Sequence, residues 1–419
     1  MEKQTSQGKA NIILLACILF NLSIGVLYTW SVLKSRLTAP ISDGGWGWSS
    51  SQAGLPYTLA IIIFAIGLLI GGRIQDKIGP RWVVTAGGIL TGLGLILSGA
   101  VGNSVTGITL CYGVITGLGI GFGYGCVTPP ALKWFHPSKK GLVSGLIVGG
   151  FGIAAVYFAP LTNALLNSLG IEKTLMCLGT AVIIVSTPVA QLIKNPPAGY
   201  SPPQPEKMKR AAVKTAAAVE YNWREMVKTK RFYLLFIMFL FSSSVGLMII
   251  GNMSKIAGLQ VGITDTAFLA LLVSFLAITN TSGRVLGGMM SDKIGRVNAL
   301  FVVFILQALN MVGFLFYHNI ATLIIGIIAV GFSYGTLLSV FPSFTADQYG
   351  LKNYGGNYGV LYLAWGLAGV VAPMIADYFY DLNGNFKIAY IICAIMMASL
   401  LIVNYLLKLD LASGKKTAA

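Results

Sequence analysis

Twelve apolar stretches recur along this 419-residue chain, each roughly twenty residues or longer, which is the length a helix needs to cross a bilayer. They cover residues 11–33, 51–73, 82–101, 105–128, 141–164, 172–193, 232–252, 264–288, 297–317, 320–345, 355–379 and 386–408. In hydrocarbon no water is available to satisfy backbone N–H and C=O groups, so such runs fold as helices. Composition points the same way. Hydrophobic residues make up 55% of the chain and charged residues 10%, against about 25% charged in a soluble domain. That leaves too little polar surface to cover a water-soluble globule. The expected fold is an all-α membrane protein with twelve transmembrane helices. The first run follows Lys3 and Lys9 and is too long for a signal-peptide core, so it reads as a retained helix.

The formal net charge of +16 lies between the apolar runs, where it reports membrane orientation and not nucleic-acid binding. The N-terminus, the loops after the second, fourth, eighth and tenth runs, and the C-terminus are basic. The opposite loops hold only Lys34, Arg36, Lys173, Lys255 and Lys387. Both termini are therefore expected in the cytoplasm. Between the sixth and seventh runs, Asn195 to Pro205 is proline-rich and Lys207 to Arg231 is basic. This segment divides the chain into a six-helix bundle over 11–193, a cytoplasmic linker over 194–231 and a second six-helix bundle over 232–408.

Enzyme chemistry finds little to work with. Cys17, Cys111, Cys126, Cys177 and Cys393 all fall inside apolar runs, without metal-ligand spacing, and read as small packing residues. His136 and His318 lie in loops. No nucleophile–base pair, metal cluster or cofactor motif is visible, and neither catalysis nor a cofactor is expected.

The two halves repeat each other. Gly71-Gly72-Arg73-Ile74-Gln75-Asp76-Lys77-Ile78-Gly79 follows the second run, and Gly287-Gly288-Met289-Met290-Ser291-Asp292-Lys293-Ile294-Gly295 follows the eighth, with six of nine positions identical. Gly121-Phe122-Gly123-Tyr124-Gly125 in the fourth run matches Gly331-Phe332-Ser333-Tyr334-Gly335 in the tenth. Matches at corresponding places argue for a parallel duplication. The segment Gly72-x-x-x-Asp76-Lys77-x-Gly79-x-Arg81 resembles the signature of the major facilitator superfamily, and Gly288 to Arg296 is its echo. That resemblance implies alternating access between two bundles with substrate held near mid-membrane. It also implies that Asp76, Arg81, Asp292 and Arg296 form a cytoplasmic latch. A tight turn with a helix cap is the simpler role for the same residues.

Arg284 is the one basic residue well inside an apolar run. It lies eight residues before Asp292, about 12 Å up the helix from the cytoplasmic end. The hydrocarbon core is about 30 Å thick, so this is near its centre. Arginine there costs at least about 2.5 kcal/mol and must face a cavity or a partner. An ion pair within the bundle would satisfy it. But Asp265, Asp347 and Asp377 all stand near the ends of their runs, so a substrate anion is the natural partner. A planar guanidinium grips a carboxylate with two parallel bonds, which lysine does not. Asn280, one turn earlier on the same face, either orients the guanidinium, bonds the substrate or merely packs against another helix.

Asn280-x-x-x-Arg284 resembles the Asp-x-x-x-Arg pair of monocarboxylate transporters, with the acidic partner replaced. Gly25-Val26-Leu27-Tyr28-Thr29-Trp30, Tyr124-Gly125, Lys133-Trp134-Phe135 and Gly141-Leu142-x-Ser144-Gly145 resemble bacterial oxalate/formate antiporters. That family carries a second substrate-binding base, a lysine, where this chain reads Ala364-Trp365. One cavity cation in place of two suits one carboxylate. Tyr28, Tyr124, Tyr334 and Tyr358 fall mid-helix, away from the usual interfacial positions, and are candidates to line the cavity; interfacial anchoring is the alternative. Gly117, Gly121 and Gly125 form a smooth face for close packing. Ser49-x-x-Gln52 has the form of a capping box opening the second helix.

These readings converge on a secondary active transporter of a small monocarboxylate such as L-lactate or pyruvate. Proton coupling and a monomer in the plasma membrane are expected, with oxalate/formate-type exchange as the alternative. The expected partners are the carboxylate anion, a proton and the lipid bilayer.

Overall fold

The computed structural model describes residues 2–202 and 220–416, and no strand occurs among them. Part of the expected basic linker, residues 203–219, lies outside the described residues. α1 (Glu2–Ile24) passes through a tighter helical turn, Gly25–Thr29, into α2 (Trp30–Thr38). α3 (Ser50–Ile78) and α4 (Pro80–Ala100) follow. α5 (Val105–Ile108) runs through a π-helical stretch, Thr109–Thr116, into α6 (Gly117–Trp134). α7 (Lys140–Ala190) is broken at Gly170, whose φ of 75° is left-handed. After the short α8 (Trp223–Met226) come α9 (Lys230–Val261), α10 (Thr266–Ile294) and α11 (Arg296–Gly313). α12 (Ile320–Tyr349), α13 (Tyr354–Asn383) and α14 (Lys387–Lys416) complete the chain. Among the described residues, nine helical stretches are long and apolar enough to cross a membrane.

Local signals act where the sequence places them. The Ser49 amide donates to Gln52 Oε1 at 2.9 Å and the Gln52 amide to Ser49 Oγ at 3.2 Å, which closes the capping box at the start of α3. Gly79 and Gly295 end the two copies of the repeated motif with φ of 88° and 86°. A residue with a β-carbon is strained at such angles, so both copies need glycine to turn from one helix into the next.

Contacts sort the chain into two compact units. One holds Met1–Pro137, Ile147–Tyr221 and Tyr349–Leu363; the other holds Ser138–Leu146, Asn222–Gln348 and Ala364–Ala419. The start of α13 therefore belongs to the first unit, and the start of α7 to the second.

In the first unit the glycines of α6 serve two faces where the sequence suggested one. A β-carbon at Gly117 would lie 2.8 Å from the Ala60 carbonyl oxygen of α3, and one at Gly125 would lie 2.5 Å from the Leu68 side chain. Gly119 faces Thr91 of α4 instead, and Gly123 faces Phe20 of α1. Small residues on both faces let three neighbouring helices close on α6. Cys17 and Cys126 are buried, as is Cys393 of the second unit, but Cys111 is half-buried and Cys177 is exposed.

Candidate functional site

α10 carries Arg284 in the second unit. Its residue exposure is 1%, and that of Asn280 is 7%. The guanidinium Nε donates to Asn280 Oδ1 at 3.2 Å, so the two share one face of the helix, one turn apart. Backbone contacts hold this turn from two sides. On α12, a β-carbon at Gly335 would collide with the Asn280 carbonyl oxygen and lie 2.8 Å from the Arg284 amide nitrogen. At the start of α7, a β-carbon at Gly145 would collide with the Arg284 carbonyl oxygen. Glycine at both positions lets three backbones meet at the turn that carries the arginine.

Tyr334 and Trp365 lie in the same unit. Trp365 Nε1 donates to Tyr334 Oη at 2.8 Å, and Gly246 of α9 packs against the tyrosine ring. Tyr124 and Tyr358 lie in the other unit. The Tyr124 ring stands 5.4 Å from Phe64, 5.0 Å from Phe151 and 6.0 Å from Tyr362. Tyr358 joins this cluster through Tyr362, 5.5 Å away. The side chain of Tyr28 is outside the described residues.

The duplication makes the asymmetry of the two halves readable. The register that aligns Asp76 with Asp292 aligns Leu68 with Arg284 and Phe64 with Asn280. The register that aligns Gly145 with Gly359 aligns Phe151 with Trp365. So Tyr124–Phe151 and Tyr334–Trp365 are repeat equivalents. One is a ring contact and the other a hydrogen bond, and the cation stands on one side of the duplication alone. Phe64, Phe151 and Tyr362 were not singled out from the sequence, although the repeat register points to the first two.

At the repeated motif, the Asp76 carboxylate accepts from the amides of Gly355 at 3.1 Å and Gly356 at 2.8 Å. Asp292 accepts from the amides of Gly141 and Leu142, both at 2.8 Å. Each carboxylate thus caps the first turn of a helix, α13 or α7, where unpaired N–H groups and the helix dipole favour an anion. Close glycine pairs bring the elements together: Gly72 against Gly355, and Gly288 against Gly141. Both bonds join segments far apart in sequence.

The two arginines of the motif differ. Arg296 Nη1 donates to Asp292 Oδ1 and to Ser291 Oγ, both at 2.6 Å, and its Nε to Asp347 Oδ2 at 2.9 Å. Lys140 Nζ reaches the other Asp347 oxygen at 2.9 Å. Arg81 Nε instead donates to Gln191 Oε1 at 2.6 Å, at the end of α7. Lys140 and Asp347 complete a charged cluster that the sequence reading missed. No local pattern announces a pair so distant in sequence.

Comparison with known proteins decides the family. The model of the Major Facilitator Superfamily matches residues 11–321 and 269–419. The chain belongs to the major facilitator superfamily. It is 31% identical over 365 residues to the uncharacterized MFS-type transporter YhjX of Escherichia coli strain K12, covering 85% of each chain. It is 29% identical over 366 residues to the oxalate:formate antiporter of Oxalobacter formigenes, covering 85% of this chain and 82% of that one. It is 24% identical over 375 residues to monocarboxylate transporter 13 of Rattus norvegicus, covering 88% and 82%. The fold resembles the transporter FucP in its outward conformation, with a TM-score of 0.69 at 14% identity over 95% of this chain and 98% of that one. As a superfamily member with many long apolar helices, the chain is an integral membrane transporter.

Proposed function

We propose that this transporter carries a small monocarboxylate, such as L-lactate or pyruvate, by alternating access and together with a proton. In this reading twelve helices form two bundles, over 11–193 and 232–408, with both termini in the cytoplasm. The observation that carries the reading is Arg284, a guanidinium buried within the apolar helix α10. A charge in that setting costs several kcal/mol, about 2.5 at the least, unless it meets a counter-charge or a wet cavity. A carboxylate matches its planar fork. In this reading Asn280 orients the guanidinium, and Tyr334 of the same unit is a further substrate contact. Trp365 occupies the place where a second cation would be needed for a dicarboxylate. The names of two relatives, an oxalate:formate antiporter and a monocarboxylate transporter, agree with a carboxylate cargo.

Coupling follows from charge. Arginine does not release its proton in the physiological range. The proton then travels on or beside the bound carboxylate. The bound anion offsets the charge of Arg284, and the loaded carrier reorients with the two charges compensated. Asp76, Arg81, Asp292 and Arg296 act as the latch that reorientation must release. The test is lactate accumulation in proteoliposomes under an inward-acid pH gradient with no exchangeable anion inside. Uphill uptake driven by the gradient is expected. Uptake that ignores the gradient and requires internal anion would replace symport with exchange, the mode named for the Oxalobacter relative.

A further inference from the structure

A cavity of about 310 Å³ lies in the first unit. Lys9 and Ile12 of α1, Trp134 at the end of α6, and Leu192, Lys194 and Asn195 just past α7 line it. Its walls divide by chemistry. Lys9, Lys194, Asn195 and Trp134 are its polar residues, and Ile12, Ile13 and Leu192 its aliphatic ones. The segment after α7 is folded back to make one wall. Trp134 Nε1 donates to the Lys194 carbonyl at 2.8 Å. Tyr200 packs on the Trp134 ring at 4.7 Å and donates its hydroxyl to the Trp134 carbonyl at 3.2 Å.

Ile12, which lines the cavity, also heads an exposed apolar row on α1. Ile12, Leu15 and Leu19 are 55%, 56% and 40% exposed and follow one another along one side of α1. Leu192, at the cavity itself, is 52% exposed. A ligand that satisfies both features carries an anionic head and a long hydrocarbon tail. Basic pockets between helix ends at a membrane boundary suit anionic headgroups. We infer that this cavity binds the headgroup of an anionic phospholipid, whose phosphate meets Lys9 and Lys194 while an acyl chain lies along Ile12, Leu15 and Leu19. The folded-back segment after α7 would be held to α1 by the lipid that sits between them.

The probe is phosphatidylglycerol. Full-length protein is reconstituted in vesicles of phosphatidylglycerol and phosphatidylcholine in equal amounts, re-extracted in mild detergent, and its retained lipid is identified by native mass spectrometry. The wild type should retain phosphatidylglycerol selectively. Each lysine near an anionic lipid surface contributes about fivefold, about 1 kcal/mol. Lys9→Gln combined with Lys194→Gln should therefore lower retention by about 25-fold. Lys228→Gln, an exposed lysine outside the cavity, should leave it unchanged. Ile12→Ser with Leu192→Ser should weaken retention with both charges in place. Equal retention of phosphatidylcholine, or an unaltered spectrum for the double lysine variant, overturns the inference. So does displacement of the lipid by inorganic phosphate, which would make the cavity a simple anion site.

Discussion

The indole N–H of Trp365 donates to the phenolic oxygen of Tyr334 across 2.8 Å, with the two residues only 7% and 4% exposed. A buried donor that loses its acceptor costs about 1–3 kcal/mol, whereas removing both partners costs much less. Tyr334→Phe should therefore lower thermal stability, as should Trp365→Phe. The double variant should fall by less than the sum of the two. Unfolding midpoints in detergent give the coupling directly, and strictly additive effects would show that the bond contributes nothing.

Arg284 sets the strongest functional expectation. Truncating one member of a buried, hydrogen-bonded charge pair costs about 2–5 kcal/mol, so Arg284→Ala should weaken carboxylate binding at least about 30-fold. Arg284→Lys should also be severely impaired, because an ammonium lacks the planar fork. Membrane insertion should be normal in both. Near-normal lactate uptake by Arg284→Ala would remove the residue from the binding site.

Gly335 tests whether the arginine's position depends on backbone packing. A methyl group there meets the Asn280 carbonyl and the Arg284 amide, so α12 must move away from α10. Overpacking of this kind costs about 1–3 kcal/mol. Gly335→Ala should reduce substrate affinity as well as stability, although its side chain never approaches a carboxylate. Gly251, where a β-carbon meets open space, is the control, and Gly251→Ala should behave as the wild type.

The apolar runs were legible because the bilayer demands them, and the paired motifs because duplication copied them. Ser49–Gln52 and the left-handed Gly79 and Gly295 are local features, which a linear reading captures. Arg284 stood out because charge is costly in hydrocarbon. What escaped depends on contacts between distant segments. Nothing near Lys140 in sequence announces Asp347, and nothing in the Arg81 motif points to Gln191. The fourth-run glycines looked like one face until α4 and α1 proved to use the intervening positions. Gly141 and Gly355 are intermediate cases. Each opens a glycine pair with a spacing of four, and aligning those pairs against the duplication locates both caps.

The two motif carboxylates should act alike and the two arginines should not. Asp76 and Asp292 each accept two amide hydrogens at a helix start, and a bond to a charged group is worth about 1.5–3 kcal/mol. Asp76→Asn and Asp292→Asn should both slow transport by a similar factor. Asp76→Asn should also speed labelling of Gln75→Cys, at a residue now 3% exposed, by a water-soluble thiol reagent in a background lacking the native cysteines. Arg296→Ala removes bonds to three residues of the charged cluster, whereas Arg81→Ala removes one to Gln191. Transport should therefore suffer more from Arg296→Ala, and the reverse order would argue against a latch built on Asp292 and Asp347.

Selectivity offers the sharpest test of how the cavity is charged. If Arg284 is the cation of the substrate site, as proposed, a dicarboxylate leaves its second carboxylate without a counter-charge there, which is costly at low dielectric. In the proposed reading Trp365 stands where the resemblance to oxalate/formate antiporters implies a lysine. In this structure it is bonded to Tyr334, so an ammonium introduced there would stand beside a hydroxyl able to orient it. A new charge-assisted bond is worth about 1.5–3 kcal/mol, at least about tenfold in affinity. Trp365→Lys should therefore raise oxalate binding about tenfold relative to lactate, while lactate binding itself weakens through lost packing. Competition of both anions against labelled lactate in proteoliposomes measures the ratio. If oxalate and lactate affinities fall together, Trp365 is a packing residue, and the single-cation account of selectivity fails.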